Sequence, residues 1–177
     1  DLPGREVHHE AELGIIIGKS GRNVRREDWQ EYVFGYACLM DMVVRGREER
    51  VFRKAYDTFC PVGPWITTAD EVVDPANLAM KLWVNGELRQ SANTKDLVLD
   101  IPGMIEMAAS VMTLEPGDII ATGTPAGVGQ IVDGDVVRIR IDQLGEMSMK
   151  VVQGASGRTV VFENPYVLDI KKQPLVA

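Results

Sequence analysis

Apolar residues along this chain most often follow the alternating or short continuous patterns of β-strands. Residues 12–18, E-L-G-I-I-I-G, are rich in β-branched side chains and end at glycine, which predicts a buried strand followed by a turn. Residues 80–84 alternate and run into Asn85-Gly86, a dipeptide typical of a two-residue hairpin turn. Comparable patterns predict further strands at residues 65–67, 119–122, 135–141, 147–152 and 159–162.

Apolar residues recur at helical spacing in two places. Glu27 and Asp28 put acidic side chains in a first turn, and the apolar residues that follow have helical spacing, so we predict a helix over residues 26–36. A second helix is predicted after Ile101, and it ends before Pro116. Its apolar face comprises Ile105, Ala108, Ala109 and Met112.

Strands therefore outnumber helices, and the fold class indicated is α+β, strand-dominated, with two main helices. Asp41 interrupts the apolar residues 37–44, and the charged stretch 45–54 predicts an exposed loop or helical turn. No repeat, low-complexity tract or linker divides the sequence. We expect one domain over residues 1–177.

The composition indicates a globular protein that binds a small molecule or another protein. With 177 residues, 45% hydrophobic and 25% charged, the chain can form a real core. Its formal net charge of -7 argues against nucleic acid or an anionic membrane as partner, because both require clustered Lys and Arg. No apolar run approaches the roughly 20 residues that span a bilayer. Cys38 and Cys60 are far apart and predict reduced thiols, so we expect a soluble, cytoplasmic protein.

Three acidic residues form a candidate metal site. Glu10 and Glu12 lie two residues apart at the start of the first strand, so their carboxylates project from one face. Asp41 lies in an apolar stretch, where an unpaired charge is costly. Three oxygen donors suit Mg²⁺ or Mn²⁺, with Ca²⁺ as a third candidate, better than zinc. The competing interpretation is a solvated strand edge, because exposed E-x-E patterns are common.

His8 and His9 precede these carboxylates and raise the alternative of a zinc site. Neighbouring residues of a strand face opposite ways, and the sequence has no further histidine motif, so the spacing of zinc ligands is missing. Histidine titrates near neutrality, which also makes either residue a candidate base. Their position before the metal strand argues against both roles.

Several blocks resemble the fumarylacetoacetate hydrolase family, in the order in which that family has them. The segment V-H-H-E-A-E-L-G-I-I-I-G-K resembles the opening of its catalytic domain, and Gly35-Tyr36 with Asp41 and Arg45 resembles its G-Y-x-x-x-x-D-x-x-x-R segment. Lys54, ahead of D-T-F-C-P-V-G-P-W, resembles its lysine-bearing loop. Later blocks are V-N-G-E-L-R-Q, N-T-K-D and M-T-L-E-P-G-D-I-I-A-T-G-T-P-A-G-V-G. Blocks of this length in register over residues 7–152 are far more specific than a short motif.

The resemblance implies the family's mixed β-roll, usually a homodimer, with a divalent metal held by Glu10, Glu12 and Asp41. Family members act on 2-oxo and β-diketo acids by hydrolytic C–C cleavage, decarboxylation or isomerisation, and these reactions share an enolate. A metal chelated by the substrate would stabilise that charge as a Lewis acid.

The resemblance also implies roles for four other residues. Lys54 would be catalytic and supply a positive charge, and Arg45 would face the substrate carboxylate with its planar fork. Thr124 would bind that carboxylate, while Gly123 permits close approach of the chain. On the residues alone, the competing interpretations are an exposed loop lysine, a surface salt bridge and a plain turn.

Three departures from the family pattern bear on activity. The family's water-activating His and Glu lie on a lid upstream of the E-x-E strand, and residues 1–7 do not supply them, so we expect a chain that is either N-terminally incomplete or without that lid. The segment M-D-M-V-V-R-G is more apolar than the family's N-D-x-S-A-R-D, and Glu48 stands where glutamine is common. The alternative to an active enzyme is therefore an impaired relative that keeps the metal pocket as a ligand-binding or structural module.

Overall fold

The computed structural model of the chain describes residues 5–153. Strands make up most of its regular structure, as the predicted fold class requires. The strands are β1 (Val7–His9), β2 (Ala11–Ile17), β3 (Val33–Met40), β4 (Val43–Val44), β5 (Val62–Thr68), β6 (Ala79–Val84), β7 (Glu87–Asn93), β8 (Ile119–Ala121), β9 (Gly129–Ile131), β10 (Val136–Ile141) and β11 (Gly145–Lys150). The helices are α1 (Arg50–Lys54) and α2 (Ile101–Val111), with 3₁₀ turns over Arg26–Tyr32, Ala69–Glu71 and Thr94–Asp96.

The strands form three antiparallel sheets around a shared apolar core. One sheet has the order β5-β3-β2-β8, the second β11-β10-β6-β7, and a small third β4-β1-β9. Every residue of β2 is buried, which explains why the strand is apolar apart from Glu12, since a strand covered on both faces has no solvent-facing side. Leu13 and Ile15 of this strand share the core cluster with Leu82 and Ile139 of the second sheet.

The predicted hairpin is present as β6 and β7. Its turn residues, Asn85 and Gly86, have φ angles of 51° and 84°, which their small or absent side chains tolerate. The Asn85 side chain also accepts a hydrogen bond from the Val136 N–H at 2.9 Å, which ties the turn to β10. A bulge in the ladder places Leu82 opposite Gln90.

The helix predicted over residues 26–36 was wrong in its type and in its second half. A 3₁₀ turn occupies Arg26–Tyr32, and the chain then enters β3, where Val33 and Tyr36 are buried. The helical spacing arose because two different elements each direct apolar residues inward. Pairing with β2 outweighs the weak local preference for helix.

The second predicted helix is α2. Asp100 caps its start by accepting a hydrogen bond from the Gly103 N–H at 3.1 Å, and a proline lies in the first turn. Ile105 and Ala109 are buried as expected. Met112, expected on the same face, is exposed because the helix ends at Val111 and the backbone is extended beyond it.

The other strands predicted from alternation correspond to β5, β8, β10 and β11, while the strand predicted at residues 159–162 lies outside the described residues. The charged stretch 45–54 contains the short α1. Across residues 5–153, every helix falls short of the length and apolar character that crossing a bilayer requires.

Candidate metal centre

Three carboxylates meet beside the paired ends of β2 and β3. The two strands are antiparallel, with Ala11 opposite Met40, so Glu10 and Asp41 are neighbours just beyond that pair. The Asp41 N–H donates to the Glu10 carbonyl oxygen at 2.9 Å. Carboxylate oxygens of Glu10, Glu12 and Asp41 all lie within 4.8 Å of one another. Strand pairing therefore brings the three predicted ligands to one place.

Lys54 stands between two of these carboxylates. Its Nζ donates to Glu10 Oε2 at 2.8 Å and to Asp41 Oδ2. Burial lowers the pKa of Lys54, but the hydrogen bonds to Asp41 and Glu10 outweigh it, so the net shift of the pKa is upward. The side chain is 28% exposed, which contradicts the interpretation as a solvated loop lysine. The cluster thus contains its own ammonium group.

Glu12 is the most deeply buried of the three acids, with 3% of its surface exposed. Burial raises its pKa to about 7; the charges of Asp41 and Glu10 act in the same direction, and a hydrogen bond from the Gly123 N–H at 2.7 Å opposes them. A cation beside Glu12 would favour its ionised form. The alternative of a solvated strand edge is wrong for this residue.

The donor set fits a hard divalent cation. It consists of carboxylate oxygens, and no histidine or cysteine joins the group within the described part of the chain. Such donors suit Mg²⁺, Mn²⁺ or Ca²⁺. With all three acids ionised, the single Lys54 ammonium leaves a net negative charge that a divalent cation would balance. Glu10, Glu12 and Asp41 would be its protein ligands.

The T-G-T-P segment after β8 is anchored on β2 close to these ligands. The buried Thr122 hydroxyl donates to the Leu13 carbonyl oxygen at 3.0 Å and accepts from the Leu13 N–H at 3.1 Å. Gly123 has a φ of +90°, whereas a Cβ added there would meet open space. The backbone angle alone therefore requires glycine at this position, and the close approach expected from the sequence stays a prediction.

Two buried polar side chains, Gln90 and His9, lie behind this segment. Gln90 Nε2 donates to Thr124 Oγ1 at 2.8 Å, and Gln90 Oε1 is 3.0 Å from His9 Nδ1. His8 instead pairs with Glu6 at 2.9 Å. Neither histidine belongs to the carboxylate cluster, which leaves the zinc alternative without support in residues 5–153. Gln90 was not among the site residues predicted from the sequence.

Arg45 and Glu48 lie outside the cluster. The Arg45 side chain is exposed, and its backbone N–H donates to the Glu6 carbonyl oxygen at 2.8 Å. Glu48 accepts two hydrogen bonds from Arg5, at 2.9 and 2.8 Å, and this pairing lowers the pKa of Glu48. The negative charge of Glu48 is therefore offset by Arg5. The substrate-facing role of Arg45 stays a prediction.

Comparison with known proteins assigns the chain to a family. The family described as fumarylacetoacetate (FAA) hydrolase C-terminal matches residues 2–152. The chain belongs to this family. Maleylpyruvate hydrolase of Aquipseudomonas alcaligenes is 50% identical over 147 residues, which cover 83% of this chain and 51% of the relative. The 4-hydroxyphenylacetate degradation bifunctional isomerase/decarboxylase of Salmonella dublin is 42% identical over 151 residues, covering 82% and 35%.

A solved structure supports the same assignment and the fold. The crystal structure of maleylpyruvate hydrolase from Sphingobium sp. SYK-6, in complex with manganese(II) ion and pyruvate, matches with a TM-score of 0.84 and 75% identity over 87% of this chain and 57% of that chain. This match confirms the fold of the fumarylacetoacetate hydrolase family expected from the resemblance. The chain spans about half the length of the maleylpyruvate hydrolases that it matches.

Proposed function

We propose that this chain is the catalytic domain of an enzyme that uses Mg²⁺ or Mn²⁺ to act on a 2-oxo or β-diketo acid. The observation that carries this proposal is the cluster of Glu10, Glu12, Asp41 and Lys54 beside the Thr124 segment. A family relative solved with manganese and pyruvate, itself a 2-oxo acid, supports it. The relatives compared above carry enzyme names, so they give no support to an impaired binding module.

Among the family's reactions, we favour hydrolysis of a C–C bond in an acylpyruvate. This preference rests on the similarity to maleylpyruvate hydrolases from two organisms. Such a hydrolysis adds water across the bond between the acyl carbonyl carbon and the methylene carbon of the pyruvate unit, which yields a carboxylic acid and pyruvate. The pyruvate bound in the relative's structure has the chemistry of that product.

Within the cluster, the carboxylates would hold the cation and Lys54 would act on the substrate. A bound divalent cation supplies Lewis-acid stabilisation to oxygen atoms that gain negative charge. The Lys54 ammonium adds a second positive charge nearby, where water is partly excluded. A substrate oxygen that becomes anionic during C–C cleavage would therefore face positive charge from the protein as well.

Thr124, Gly123 and Arg45 would bind the substrate carboxylate. The Thr124 hydroxyl is held by Gln90 next to the ligand-bearing strand. The Gly123 N–H is engaged by Glu12, so we assign this glycine the role of shaping the segment through its positive φ. Arg45 has an exposed side chain that is available to a carboxylate entering from solvent.

A substrate panel tests the proposed function. We expect turnover of acylpyruvates with Mg²⁺ or Mn²⁺ and none in EDTA, with oxaloacetate and an unsaturated 2-oxo dioate as comparison substrates. Asp41→Asn should abolish turnover, whereas Asp142→Asn, at an exposed position, should not. Activity that survives both EDTA and Asp41→Asn would contradict the metal role. Turnover of oxaloacetate without turnover of acylpyruvates would replace hydrolysis by another of the family's reactions.

A further inference from the structure

Gln90, in β7, is a buried side chain whose amide group is fully used. It is 1% exposed. Its Oε1 accepts from the Ala11 N–H at 3.1 Å and lies 3.0 Å from His9 Nδ1. Its Nε2 donates to Thr124 Oγ1 at 2.8 Å and to the Pro125 carbonyl oxygen at 2.9 Å. One amide therefore joins β2, between the ligands Glu10 and Glu12, to the segment that carries Thr124.

The backbone partners fix which way this amide points. A backbone N–H can only donate, so the atom facing Ala11 must be the oxygen. A carbonyl oxygen can only accept, so the atom facing Pro125 must be the NH₂ group. The two ends give the same answer, and an amide flip would break both bonds.

This orientation determines the hydrogens of the two neighbours. His9 must carry its proton on Nδ1 to bond the Gln90 oxygen, which leaves Nε2 as an acceptor. Thr124 Oγ1 accepts from the Gln90 NH₂ group, so its own proton is left to donate. Within residues 5–153, that proton has no protein acceptor.

The segment is held against β7 by shape as well. Gly127 has a φ of +101°, and a Cβ added there would overlap the carbonyl oxygen of Arg89, next to Gln90. On its other side, the Gly123 N–H bonds to Glu12. The Thr124 segment is thus fixed by both β2 and β7, and the Gln90 side chain links these two strands.

We propose that Gln90 is a positioning residue that holds residues 123–125 against the ligand-bearing strand and directs the Thr124 hydroxyl proton toward a carboxylate oxygen of the substrate. The proposal rests on the proposed function for the identity of that acceptor. A hydroxyl whose proton is free to donate recognises a hydrogen-bond acceptor, such as a carboxylate oxygen, in preference to a donor such as an amine. Gln90 thereby orients the Thr124 hydroxyl for an acid without touching the substrate.

Two substitutions separate the parts of this role. Gln90→Glu keeps acceptors for Ala11 and His9 but replaces the NH₂ group by an oxygen, so the Thr124 proton turns toward the new carboxylate. Gln90→Met removes all four hydrogen bonds at similar size. Gln130→Met, at an exposed position of β9, is the matched control.

The first measurement is pyruvate affinity in the presence of Mn²⁺, by calorimetry. We expect Gln90→Glu to weaken pyruvate binding by at least about tenfold, the effect of a lost hydrogen bond to a charged group. The Mn²⁺ affinity should change by no more than about twofold, as for a substitution away from a contact. In a Thr124→Val background, Gln90→Glu should weaken pyruvate binding little further, because the Thr124 hydroxyl that Gln90 orients is already absent. Full additivity in the double variant would overturn the proposal.

The second measurement needs neither metal nor substrate. Amide hydrogen exchange followed by NMR should show faster exchange at Ala11, which bonds to Gln90, and at Gly123, which bonds to Glu12, in Gln90→Met than in wild type, and no change in Gln130→Met. Unchanged exchange at both amides would overturn the positioning role. If wild-type protein fails to bind pyruvate with Mn²⁺, the proposed function falls, and the exchange data alone decide whether Gln90 fixes the segment.

Discussion

Glu10, Glu12 and Asp41 meet at one place, yet their surroundings differ. Glu12 is almost fully buried and bonds to a backbone N–H, whereas Glu10 and Asp41 keep some contact with water and share the Lys54 ammonium. Burial raises the pKa of Glu12 to about 7, and the negative charges of Asp41 and Glu10 act in the same direction. This difference makes the metal-free protein sensitive to pH.

We predict that stability in EDTA falls as pH rises from 4.5 to about 7 because of Glu12. The pKa of Glu12 is about 7 in the folded protein against an ordinary 4.5, so within this window the folded state keeps a proton that the unfolded state has released. The contribution is fully present below 4.5, is lost above 7 and amounts to at most about 3 kcal/mol.

Urea unfolding of wild type and Glu12→Gln at pH 5 and pH 8 measures this effect. The variant should show the smaller difference between the two pH values, and Glu106→Gln, an exposed control, should behave as wild type. With saturating Mn²⁺ the trend of the wild type should reverse, since the ion binds the ionised carboxylate. If the free energy of unfolding in EDTA changes equally between pH 5 and pH 8 in wild type and Glu12→Gln, Glu12 is ionised in the folded protein at both pH values.

A second prediction concerns Asp41→Ala. From the sequence, removal of one of three repelling carboxylates should improve or scarcely harm stability without metal; Lys54 reduces that repulsion, so we expect a change within about 1 kcal/mol in EDTA. With divalent ion at a hundredfold excess over Kd, only wild type should gain about 2.7 kcal/mol. Melting curves with EDTA and with Mn²⁺ measure both effects, with Asp142→Ala as control. Equal stabilisation of both proteins by Mn²⁺ would place the ion elsewhere.

Residue spacing predicted part of this site and missed the rest for identifiable reasons. Two carboxylates on one strand face follow from the alternation of a β-strand, Asp41 was a candidate because it lies in an apolar stretch, and the family resemblance joined the three into one site. Gln90 was not predicted because a regular ladder from the Asn85-Gly86 turn would pair Leu82 with Arg89, which leaves Gln90 on the outer face. The bulge shifts the ladder by one and turns Gln90 inward. A bulge depends on contacts with neighbouring strands, which local sequence does not reveal.

At the scale of elements, apolar spacing identified α2 and misassigned residues 26–36. Pro102 in the first turn and Asp100 before it mark the start of α2, and the capping bond from Gly103 is present. Apolar spacing over residues 26–36 failed because a 3₁₀ turn and β3 each contribute part of it. Strands with strong alternation or β-branched runs were predicted well, since burial on one or both faces dictates their sequence.

Asp100→Ala should therefore destabilise the protein by about 1 kcal/mol, the typical value of a helix N-cap. Asp100→Ser keeps an oxygen that accepts from the Gly103 N–H and should recover most of that loss. Because Asp100 also pairs with Arg26, the serine variant separates the cap from the ion pair. Urea unfolding measures both variants; equal losses would assign the effect to the ion pair alone.

At the scale of the whole molecule, α2 leaves an apolar stripe uncovered. Met107 and Val111 are exposed and lie one turn apart on the helix, with the exposed Met112 following. We predict that this stripe contributes to a two-fold homodimer. Sedimentation at micromolar concentration should show a dimer for wild type, a shift toward monomer for Met107→Glu and no shift for the exposed control Gln130→Glu. A wild-type monomer would contradict the prediction.

The ammonium of Lys54 also bears on the order of events after synthesis. A cluster of bare carboxylates would resist closure until an ion arrived, which would make folding wait for the metal supply. Because Lys54 contacts Glu10 and Asp41 directly, the polypeptide carries a provisional countercharge and can reach its native shape first. A divalent ion would then meet carboxylates that strand pairing has already brought together, and their geometry would discriminate among competing ions. Metal binding would then be an exchange reaction, in which the incoming ion displaces the Lys54 ammonium from its contacts with Glu10 and Asp41.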